Sequence, residues 1–372
     1  MSDSKRILFV SGTRADYSKL QPLINAAKAT RNVHPSIFVT GMHMLSQYGS
    51  TFREIEPVGE SDYLYINQSS TDAEYQKFAK TVQGIGDYLR ESPTDLIVVH
   101  GDRLEALAGA IVGVLTNTRV AHVEGGEISG TQDEALRHAI SKLSHLHFVA
   151  NNEASSRLQA MGEEPERIFT IGSPELDLMH SSDLPDISEV LKRYEIPFTS
   201  YGIAILHPVT TELDRTELDA EEFVEAIRAS STNWVVIESN NDQGSALIRK
   251  QMGKLLDNPN VRVLPSMRYP FFLTLLRQAQ VIIGNSSTGV REAPHYGVPA
   301  VNIGTRQNGR ATSPMIRNVN CVRREILDGI AWSQEVERIA HQSFGDGKSA
   351  SRFTSIISSE AIWLTPIQKR LV

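Results

Sequence analysis

The stretch RILFVSGTRADYSKLQPLINAAK, residues 6–28, decides the fold class of this 372-residue chain. Residues 6–11 form a short, mostly apolar run, and Tyr17 to Lys28 has the pattern of an amphipathic helix. A strand that enters a helix through a turn is the unit from which parallel α/β sheets are built. The opening therefore predicts a strand, a close turn at Gly12 and a helix that covers one face of a sheet.

The same alternation continues through the chain and restarts near its middle. The predicted strands are Arg6–Ser11, Pro35–Thr40, Leu96–His100, Arg119–Glu124, His147–Ala150, Arg167–Ile171, Gly202–Leu206, Trp234–Glu238, Val261–Leu264, Val281–Ile283 and Ala300–Ile303. The predicted helices are Tyr17–Lys28, Ala73–Arg90, Leu104–Leu115, Glu134–Ser144, Ala220–Ala229, Ser245–Leu256, Phe271–Gln278 and Arg291–Gly297. Mostly uncharged strands that alternate with helices indicate parallel sheets covered on both faces.

The interval Ser181–Ser200 interrupts this pattern with two prolines, and we interpret it as a linker. The chain is thus expected to be α/β, with two doubly wound Rossmann-like domains that face a cleft. The expected N-terminal domain is 1–180 and the expected C-terminal domain is 181–355, with the tail 356–372 packing back on the first domain.

Composition excludes several classes of protein. The chain has 40% hydrophobic and 22% charged residues and a formal net charge of −7, without a basic block, so no nucleic-acid partner is expected. Cys321 is the only cysteine, which excludes an intrachain disulfide and a thiolate cluster. The longest uncharged apolar stretch, 106–116, is too short for a membrane span, so we expect a cytoplasmic protein without a membrane partner.

Several familiar cofactor motifs are absent. No G-x-G-x-x-G follows the first strand, and Gln342 stands where a phosphate-binding P-loop ending at Ser349 would need its first glycine. His145 and His147 lack a third ligand at a helpful spacing, so packing or network roles are favoured over a metal. We expect neither a metal nor another cofactor.

Two polar motifs of the first half follow predicted strands. Ser11–Lys19 places Arg14 near a helix N-terminus, where a guanidinium and free N–H groups suit an anion; a capping turn with a solvated arginine explains it equally well. Val99–Arg103 places ionisable side chains at the end of a strand, where they are costly unless used or paired. A structural capping arrangement of Asp102 with Arg103 is the alternative.

A third motif is His122–Glu127, in which Glu124 is the last residue of a predicted strand and Gly125-Gly126 after it allows close approach of a substrate. Asp133 stands at the start of the next helix, where capping is the alternative use of a carboxylate. If the strands ending near Asp102 and Glu124 are neighbours, their carboxylates converge on one rim of the sheet. Such a group can transfer protons and stabilise a developing cation.

The second half has a comparable arrangement without the carboxylate pair. His207 follows the first strand of that half, and Gly284–Gly289 follows another strand and opens a helix. Small hydroxyl residues and glycines at a helix N-terminus suit phosphate, and Glu292 one turn later suits a ribose diol. An ordinary capped helix would explain Ser286 or Ser287 alone, but not the full set as well.

Together these motifs closely resemble the hydrolysing UDP-N-acetylglucosamine 2-epimerases of sialic acid synthesis. The blocks that carry the resemblance are Gly12–Tyr17, Thr40–His43, His100–Arg103, Glu124–Glu127, His207–Thr211 and Gly304–Gln307. Non-hydrolysing relatives carry Pro-Glu and Ala-Gly where this chain has Ala15-Asp16 and Gly125-Gly126. The resemblance therefore implies the hydrolysing branch and a glycosyltransferase-B-like fold that holds UDP chiefly by its second domain.

Site roles follow from the resemblance, motif by motif. It implies that Asp102, Glu124 and Asp133 are the catalytic carboxylates, with His207 near the diphosphate. The implied substrate contacts are Arg14, Ser18, His43 on the sugar side, Arg103, Asn240, Arg268, Ser286, Ser287, Glu292 and Arg306. The animal relatives have histidine at the position of Arg268. A homodimer or homotetramer is expected.

The family reaction implied is anti elimination of UDP across C1–C2 to 2-acetamidoglucal, followed by hydration to N-acetylmannosamine. The alternatives are a hydrolysing 2-epimerase of a UDP-2,4-diacetamido-6-deoxy sugar, a non-hydrolysing epimerase, and a transferase of the glycosyltransferase-B type. A nucleotide-sugar-binding regulator is the alternative outside enzymes, and binding without turnover would identify it.

Overall fold

The computed structural model describes residues 4–69, 72–128, 133–239 and 242–370. The strands are β1 (Lys5–Ser11), β2 (Val33–Val39), β3 (Tyr63–Leu64), β4 (Leu96–His100), β5 (Arg119–Val123), β6 (Leu146–Val149), β7 (Ile168–Thr170), β8 (Gly202–Ile205), β9 (Trp234–Ile237), β10 (Val261–Leu264), β11 (Ile282–Gly284), β12 (Ala300–Ile303) and β13 (Ile316–Val319). The α-helices are α1 (Arg14–Ala29), α2 (Glu74–Glu91), α3 (Leu104–Leu115), α4 (Asp133–Leu143), α5 (Asn152–Ala160), α6 (Glu175–Met179), α7 (Ile187–Arg193), α8 (Thr216–Ala229), α9 (Ser245–Met252), α10 (Tyr269–Gln278), α11 (Glu292–His295), α12 (Arg323–Glu335), α13 (Ser349–Ile357) and α14 (Glu360–Trp363).

The first of two structural units holds a seven-stranded sheet in the order β3-β2-β1-β4-β5-β6-β7. Every pair in this sheet is parallel. Its central strands are apolar and buried on both faces, as Leu8, Phe9, Ile97 and Val98 show. The prediction of a doubly wound parallel sheet is confirmed here.

The second unit holds a six-stranded parallel sheet in the order β10-β9-β8-β11-β12-β13. In both sheets the strand order reverses next to the first strand, between β1 and β4 and between β8 and β11. Open α/β sheets bind ligands at the carboxyl ends of the strands beside such a reversal. Each unit therefore has one edge at which a site is expected.

The turn after β1 is held by a capping box, and α1 begins at Arg14 rather than at the predicted Tyr17. The Asp16 carboxylate accepts the Gly12 and Thr13 N–H groups at 2.9 and 2.7 Å, and the Asp16 N–H donates to the Thr13 hydroxyl. Because these bonds satisfy N–H groups that a helix start leaves open, the helix begins three residues early. A Cβ at Gly12 would lie 2.6 Å from the Glu105 carboxyl carbon, so a larger residue there would have to displace that side chain.

Two boundaries differ from the sequence-based expectation. The segment interpreted as a linker contains α7, because the Asp186 side chain caps it and Val190 is buried in the core of the second unit. The first unit takes in the described residues from 344 to 370, a segment that begins earlier than the expected tail 356–372. Asp177 accepts the Ser349 N–H at 2.9 Å, which fixes the start of α13 against this unit. No helix in the described ranges is long and apolar enough to cross a bilayer.

Candidate active site

Asp102 and Glu124 stand at the same edge of the first sheet. β4 and β5 are parallel neighbours with His100 opposite Val123, so Glu124 directly follows β5 and Asp102 lies two residues beyond β4. The Gly101 N–H donates to the Val123 carbonyl at 3.0 Å, and the Glu124 N–H donates to the Phe148 carbonyl at 3.0 Å. The two carboxylates thus leave the sheet from adjacent, backbone-anchored positions, which we call the carboxylate edge.

Glu124 is buried, and its backbone has a φ of +64°, a conformation that costs a non-glycine residue about 1–2 kcal/mol. The surroundings compensate this strain. Lys19 on α1 donates to its Oε1 at 3.2 Å, the Ser173 hydroxyl oxygen lies 3.0 Å from Oε1, and His100 Nε2 lies 3.3 Å from Oε2. Strain that a hydrogen-bond network over-determines is typical of a functional site.

Asp102 pairs with Arg137 on α4, whose guanidinium Nη2 donates to the Asp102 Oδ2. Arg137 is 1% exposed; burial alone would lower its pKa, but the nearby carboxylates of Asp102, Glu127 and Glu124 raise it above the ordinary value. The guanidinium therefore stays charged and favours the ionised form of Asp102. Asp133 is the half-buried first residue of the same helix, and its catalytic role stays a prediction.

A buried histidine supports the turn that carries Asp102. Burial lowers the pKa of His122 to about 3, so its ring is neutral near pH 7. Nε2 lies 2.7 Å from the Gly101 carbonyl and must donate to it, so Nδ1 accepts the Ser141 hydroxyl at 2.9 Å. A Cβ at Gly125 would lie 2.8 Å from Ser141 Oγ and 2.9 Å from His122 Nδ1. Only glycine therefore fits at position 125 without displacing the His122–Ser141 hydrogen bond.

Arg14 and Ser18 lie on the first turns of α1. Arg14 Nη2 makes an ion pair with Glu54 at 2.7 Å, and both side chains are partly exposed. A phosphate at this helix start would share the guanidinium with Glu54. The Ser18 hydroxyl is buried and donates to the Arg14 carbonyl at 2.8 Å, a bond within the helix.

His43 lies beneath the turn after β1. Its Nε2 lies 3.0 Å from Ser11 Oγ and its Nδ1 lies 2.7 Å from Thr51 Oγ1, and burial lowers its pKa. Both ring nitrogens are engaged, so the structure gives His43 a supporting position, and its predicted sugar contact stays a prediction. Arg103 precedes α3, and its Nε lies 3.6 Å from the buried carboxylate of Glu105.

The edge of the second sheet is built from amides and backbone groups. The His207 N–H donates to Asn285 Oδ1 at 2.7 Å, and Asn285 Nδ2 donates to the His207 carbonyl at 2.8 Å. This two-bond clamp joins the ends of β8 and β11. Gly284 has a φ of +128°, and a Cβ there would lie 1.8 Å from the Ile205 carbonyl oxygen. We call the ends of β8 and β11, with His207 and Asn285–Ser287, the amide edge.

The predicted helix Arg291–Gly297 is wrong in its length, since α11 covers only Glu292–His295. A separate 3-10 turn, Ser287–Gly289, precedes it, because Ser286 caps that turn and Arg291 breaks the regular helix geometry. A turn of three residues has little dipole, so an anion here would depend on hydroxyl and N–H groups.

The remaining predicted contacts of this unit follow β10, β11 and β12. Glu292 is buried and accepts the Tyr269 hydroxyl at 2.9 Å. Arg306 Nη1 donates to the Asn285 carbonyl at 3.2 Å, which connects it to the amide edge. The Arg268 N–H donates to the Tyr194 hydroxyl at 3.0 Å. Asn240 lies outside the described residues.

Several residues of the two edges were missed from sequence. They are Lys19, Arg137, Ser173 and Glu175 in the first unit and Asn285 in the second. Arg137 had a local signal, because its spacing of four from Asp133 puts both on one face of α4. Lys19 and Ser173 lie 105 and 49 residues from Glu124 in sequence, so no local pattern connects them with it.

His145 and His147 are the two histidines whose spacing was considered for a metal site. Nδ1 of His145 accepts the Val120 N–H at 3.1 Å, and Nε2 of His147 lies 2.9 Å from Glu163. Both histidines thus belong to structural networks. Within residues 4–69, 72–128, 133–239 and 242–370, no group of three His, Cys, Asp or Glu side chains is placed to hold a metal ion.

Comparison with known proteins identifies the family. The family model described as UDP-N-acetylglucosamine 2-epimerase matches residues 25–358. A protein named UDP-N-acetylglucosamine 2-epimerase from Neisseria meningitidis serogroup B is 40% identical, over 99% of each chain. A UDP-N,N'-diacetylbacillosamine 2-epimerase (hydrolyzing) from Legionella pneumophila is 34% identical, over 95% of this chain and 96% of that protein.

A solved structure shows the same fold. UDP-GlcNAc 2-epimerase from Neisseria meningitidis, bound to UDP-GlcNAc, matches with a TM-score of 0.80 and 20% identity, over 95% of this chain and 99% of that one. Both the family match and the two full-length relatives extend across the two sheets described above. The chain therefore belongs to the UDP-N-acetylglucosamine 2-epimerase family.

Proposed function

We propose that this protein is a hydrolysing UDP-N-acetylglucosamine 2-epimerase, which converts UDP-N-acetylglucosamine and water to UDP and N-acetylmannosamine. The observation that carries the proposal is the pair of carboxylates, Asp102 and Glu124, that leave adjacent strands of one sheet and have buried cationic partners. Recognition of a neutral sugar ring does not require two carboxylates with buried cationic partners, whereas elimination of a diphosphate has a use for both charges.

The elimination reaction explains why charged carboxylates are needed at this edge. The C2 proton of the sugar is weakly acidic, so the C1–oxygen bond must lengthen first and positive charge builds at C1. Ionised Asp102, held by Arg137, would stabilise that charge, and a second carboxylate would remove the proton. The predicted roles of His207, Arg14, Ser286 and Ser287 are to neutralise the departing diphosphate.

The hydrolysing reaction is supported by Gly125. The His122–Ser141 pair leaves no space for a methyl group at this position, where non-hydrolysing relatives carry alanine. The 34% identical relative from Legionella pneumophila is also named as hydrolysing. That relative favours one second candidate, a UDP-2,4-diacetamido-6-deoxy sugar as the substrate in place of UDP-N-acetylglucosamine.

We further propose, on the motif resemblance, that the reaction is the first step of sialic acid synthesis. The same resemblance supports a cytoplasmic homodimer or homotetramer.

Phosphorus NMR of the purified protein with UDP-N-acetylglucosamine tests the proposal. Free UDP together with N-acetylmannosamine in the proton spectrum is the expected result. Conversion to UDP-N-acetylmannosamine would instead make the protein non-hydrolysing. An unchanged spectrum, followed by UDP release from the diacetamido sugar, would establish the second candidate. Turnover of neither sugar would contradict both.

A further inference from the structure

A second buried carboxylate lies behind Glu124. Glu175, at the start of α6, is 0% exposed, and its Oε2 lies 2.5 Å from the hydroxyl oxygen of Ser173. The same Ser173 oxygen lies 3.0 Å from Oε1 of Glu124. Two carboxyl groups are thus bridged by one serine hydroxyl, away from solvent.

The number of hydrogens available in this bridge indicates which protonation state of Glu124 it favours. A serine hydroxyl carries one hydrogen and two lone pairs. Its hydrogen belongs in the shorter contact, toward Glu175, which leaves a lone pair facing Oε1 of Glu124. The chain of bonds is complete when Glu124 itself carries a proton and donates it to Ser173, while Ser173 donates to Glu175. With Glu124 ionised, two carboxylate oxygens compete for one hydrogen.

Other charged groups face Glu124 from each neighbouring element. Lys19 on α1 lies 3.2 Å from Glu124 and 3.7 Å from Glu175, His100 on β4 lies 3.3 Å away, and the charge of Arg137 on α4 also acts on it. Lys19 and Arg137 favour the ionised form of Glu124, and Glu175 opposes them.

We propose that Ser173 and Glu175 are positioning residues that stabilise the protonated form of Glu124, and that Glu124 is therefore the carboxylate that accepts the C2 proton. This inference rests on the proposed function and assigns the base within it. The C2–H bond breaks and its electron pair forms the C1=C2 double bond. The C1–oxygen bond breaks toward UDP, and the proton moves to Glu124, whose new O–H donates to Ser173.

A carboxyl titration that does not depend on turnover tests the proposal. The full-length protein is labelled with glutamate carrying carbon-13 at the side-chain carboxyl, and the Glu124 resonance is identified by its loss in Glu124→Gln. The titration midpoint of Glu124 should fall by about one pH unit or more in both Ser173→Ala and Glu175→Gln, because each removes support for the protonated form. A midpoint that is unmoved or raised in either variant overturns the proposal.

Asp177→Asn is the matched control on the same helix, because Asp177 pairs with the backbone of residues 349 and 350. It should leave the Glu124 midpoint and kcat unchanged, although it lowers stability. If Glu175→Gln does not fold, Ser173→Ala, which removes a single oxygen, decides alone.

Kinetics supply the second readout. In both variants, the acid limb of kcat/KM for UDP-N-acetylglucosamine should move to lower pH together with the titration midpoint, and kcat should fall about tenfold, since a weaker base removes the proton more slowly. A fall in kcat with an unshifted acid limb would reduce Ser173 and Glu175 to packing roles and overturn the proposal. Absence of turnover by the unmodified protein would contradict the proposed function, while the titration would still decide the positioning.

Discussion

The carboxylate edge and the amide edge occupy equivalent places in two similar sheets, yet they are built from different chemical groups. At the first, Glu124 and Asp102 are held by the cationic side chains of Lys19 and Arg137. At the second, His207 is held by the neutral amide of Asn285 through two backbone bonds. Both edges lie where the strand order reverses, so the fold alone does not distinguish them.

This difference indicates a division of labour. Buried ion pairs are costly to build and rarely add stability over apolar packing, and Glu124 combines such a pair with a strained backbone, which favours chemistry at the first edge. Neutral amide, hydroxyl and glycine groups bind an anion without a permanent charge, as expected of a nucleotide-diphosphate edge. We therefore expect substitutions at the first edge to affect turnover and substitutions at the second to affect binding.

The largest expected effect is from Glu124→Gln and from Asp102→Asn. Each should lower kcat by roughly 10²-fold or more, because removal of one charge abolishes proton transfer or cation stabilisation. UDP affinity, measured by calorimetry, should change by less than about threefold. Glu163→Gln is the matched control, since Glu163 is a buried carboxylate of the same unit that pairs with Lys142 and His147.

That control should lose about 3 kcal/mol of unfolding free energy, because it breaks a buried ion pair, yet keep kcat. Full activity of Glu124→Gln or Asp102→Asn would remove that residue from the mechanism.

The next effect concerns packing at the carboxylate edge. Gly125→Ala should lower the free energy of unfolding by about 1–3 kcal/mol, because its methyl group would enter the His122–Ser141 contact. Activity should fall as well, since that contact supports the turn carrying Asp102. Gly86→Ala on α2 is the control: nothing lies within 4 Å of a Cβ there, so we expect a small gain in stability. Urea denaturation measures the free energy of unfolding of both variants. Equal changes in Gly125→Ala and Gly86→Ala would show that the His122–Ser141 contact is unimportant for stability.

Asn285→Ala tests the amide edge. The His207 N–H loses its acceptor and its carbonyl loses a donor, so UDP affinity should fall about tenfold while kcat changes little. Asn302→Ala is the control, because Asn302 bonds with Asn318 on the neighbouring strand and should affect stability alone. A loss of kcat without a loss of affinity would reverse the assignment of the two edges.

A further effect, on stability and not on turnover, should appear in the pH dependence of unfolding. Because the pKa of His122 is lowered to about 3 in the folded protein, only the unfolded chain binds a proton there as the pH falls below 6.5. The free energy of unfolding therefore falls by about 1.4 kcal/mol for each unit by which the pH is lowered between pH 6.5 and 4. His122→Gln should have a flatter stability profile over this range in chemical denaturation. An equally steep profile would show that groups other than His122 cause the loss of stability at low pH.

Local patterns were sufficient for most of the fold. The mostly apolar strands and amphipathic helices gave both sheets, because each element follows from a short stretch of chain. The edge strands β3 and β13 were missed, since a two-residue strand has no period and two of the four residues of β13, Arg317 and Asn318, are exposed polar residues. Helix α7 was missed because Pro185 and Pro197 flank it, although its cap and Val190 are in the sequence.

The site was predictable only in part for a physical reason. Asp102 and Glu124 end strands, and parallel strands end at one edge, so sequence order places them together. Their partners Lys19, Arg137 and Ser173 reach them from different helices and loops, and only the packing of those elements brings them close. The bridge that Ser173 makes between Glu124 and Glu175 is visible only as distances in the folded protein.

Proton NMR of UDP-N-acetylglucosamine with the protein in D₂O tests directly whether the carboxylate edge removes the C2 proton. We expect free UDP and N-acetylmannosamine that carries deuterium at C2, and product formation slowed by roughly 10²-fold or more in Glu124→Gln although UDP still binds to that variant. N-acetylmannosamine that retains its original C2 proton, or deuterated product formed at the normal rate by Glu124→Gln, would contradict this role of the carboxylate edge.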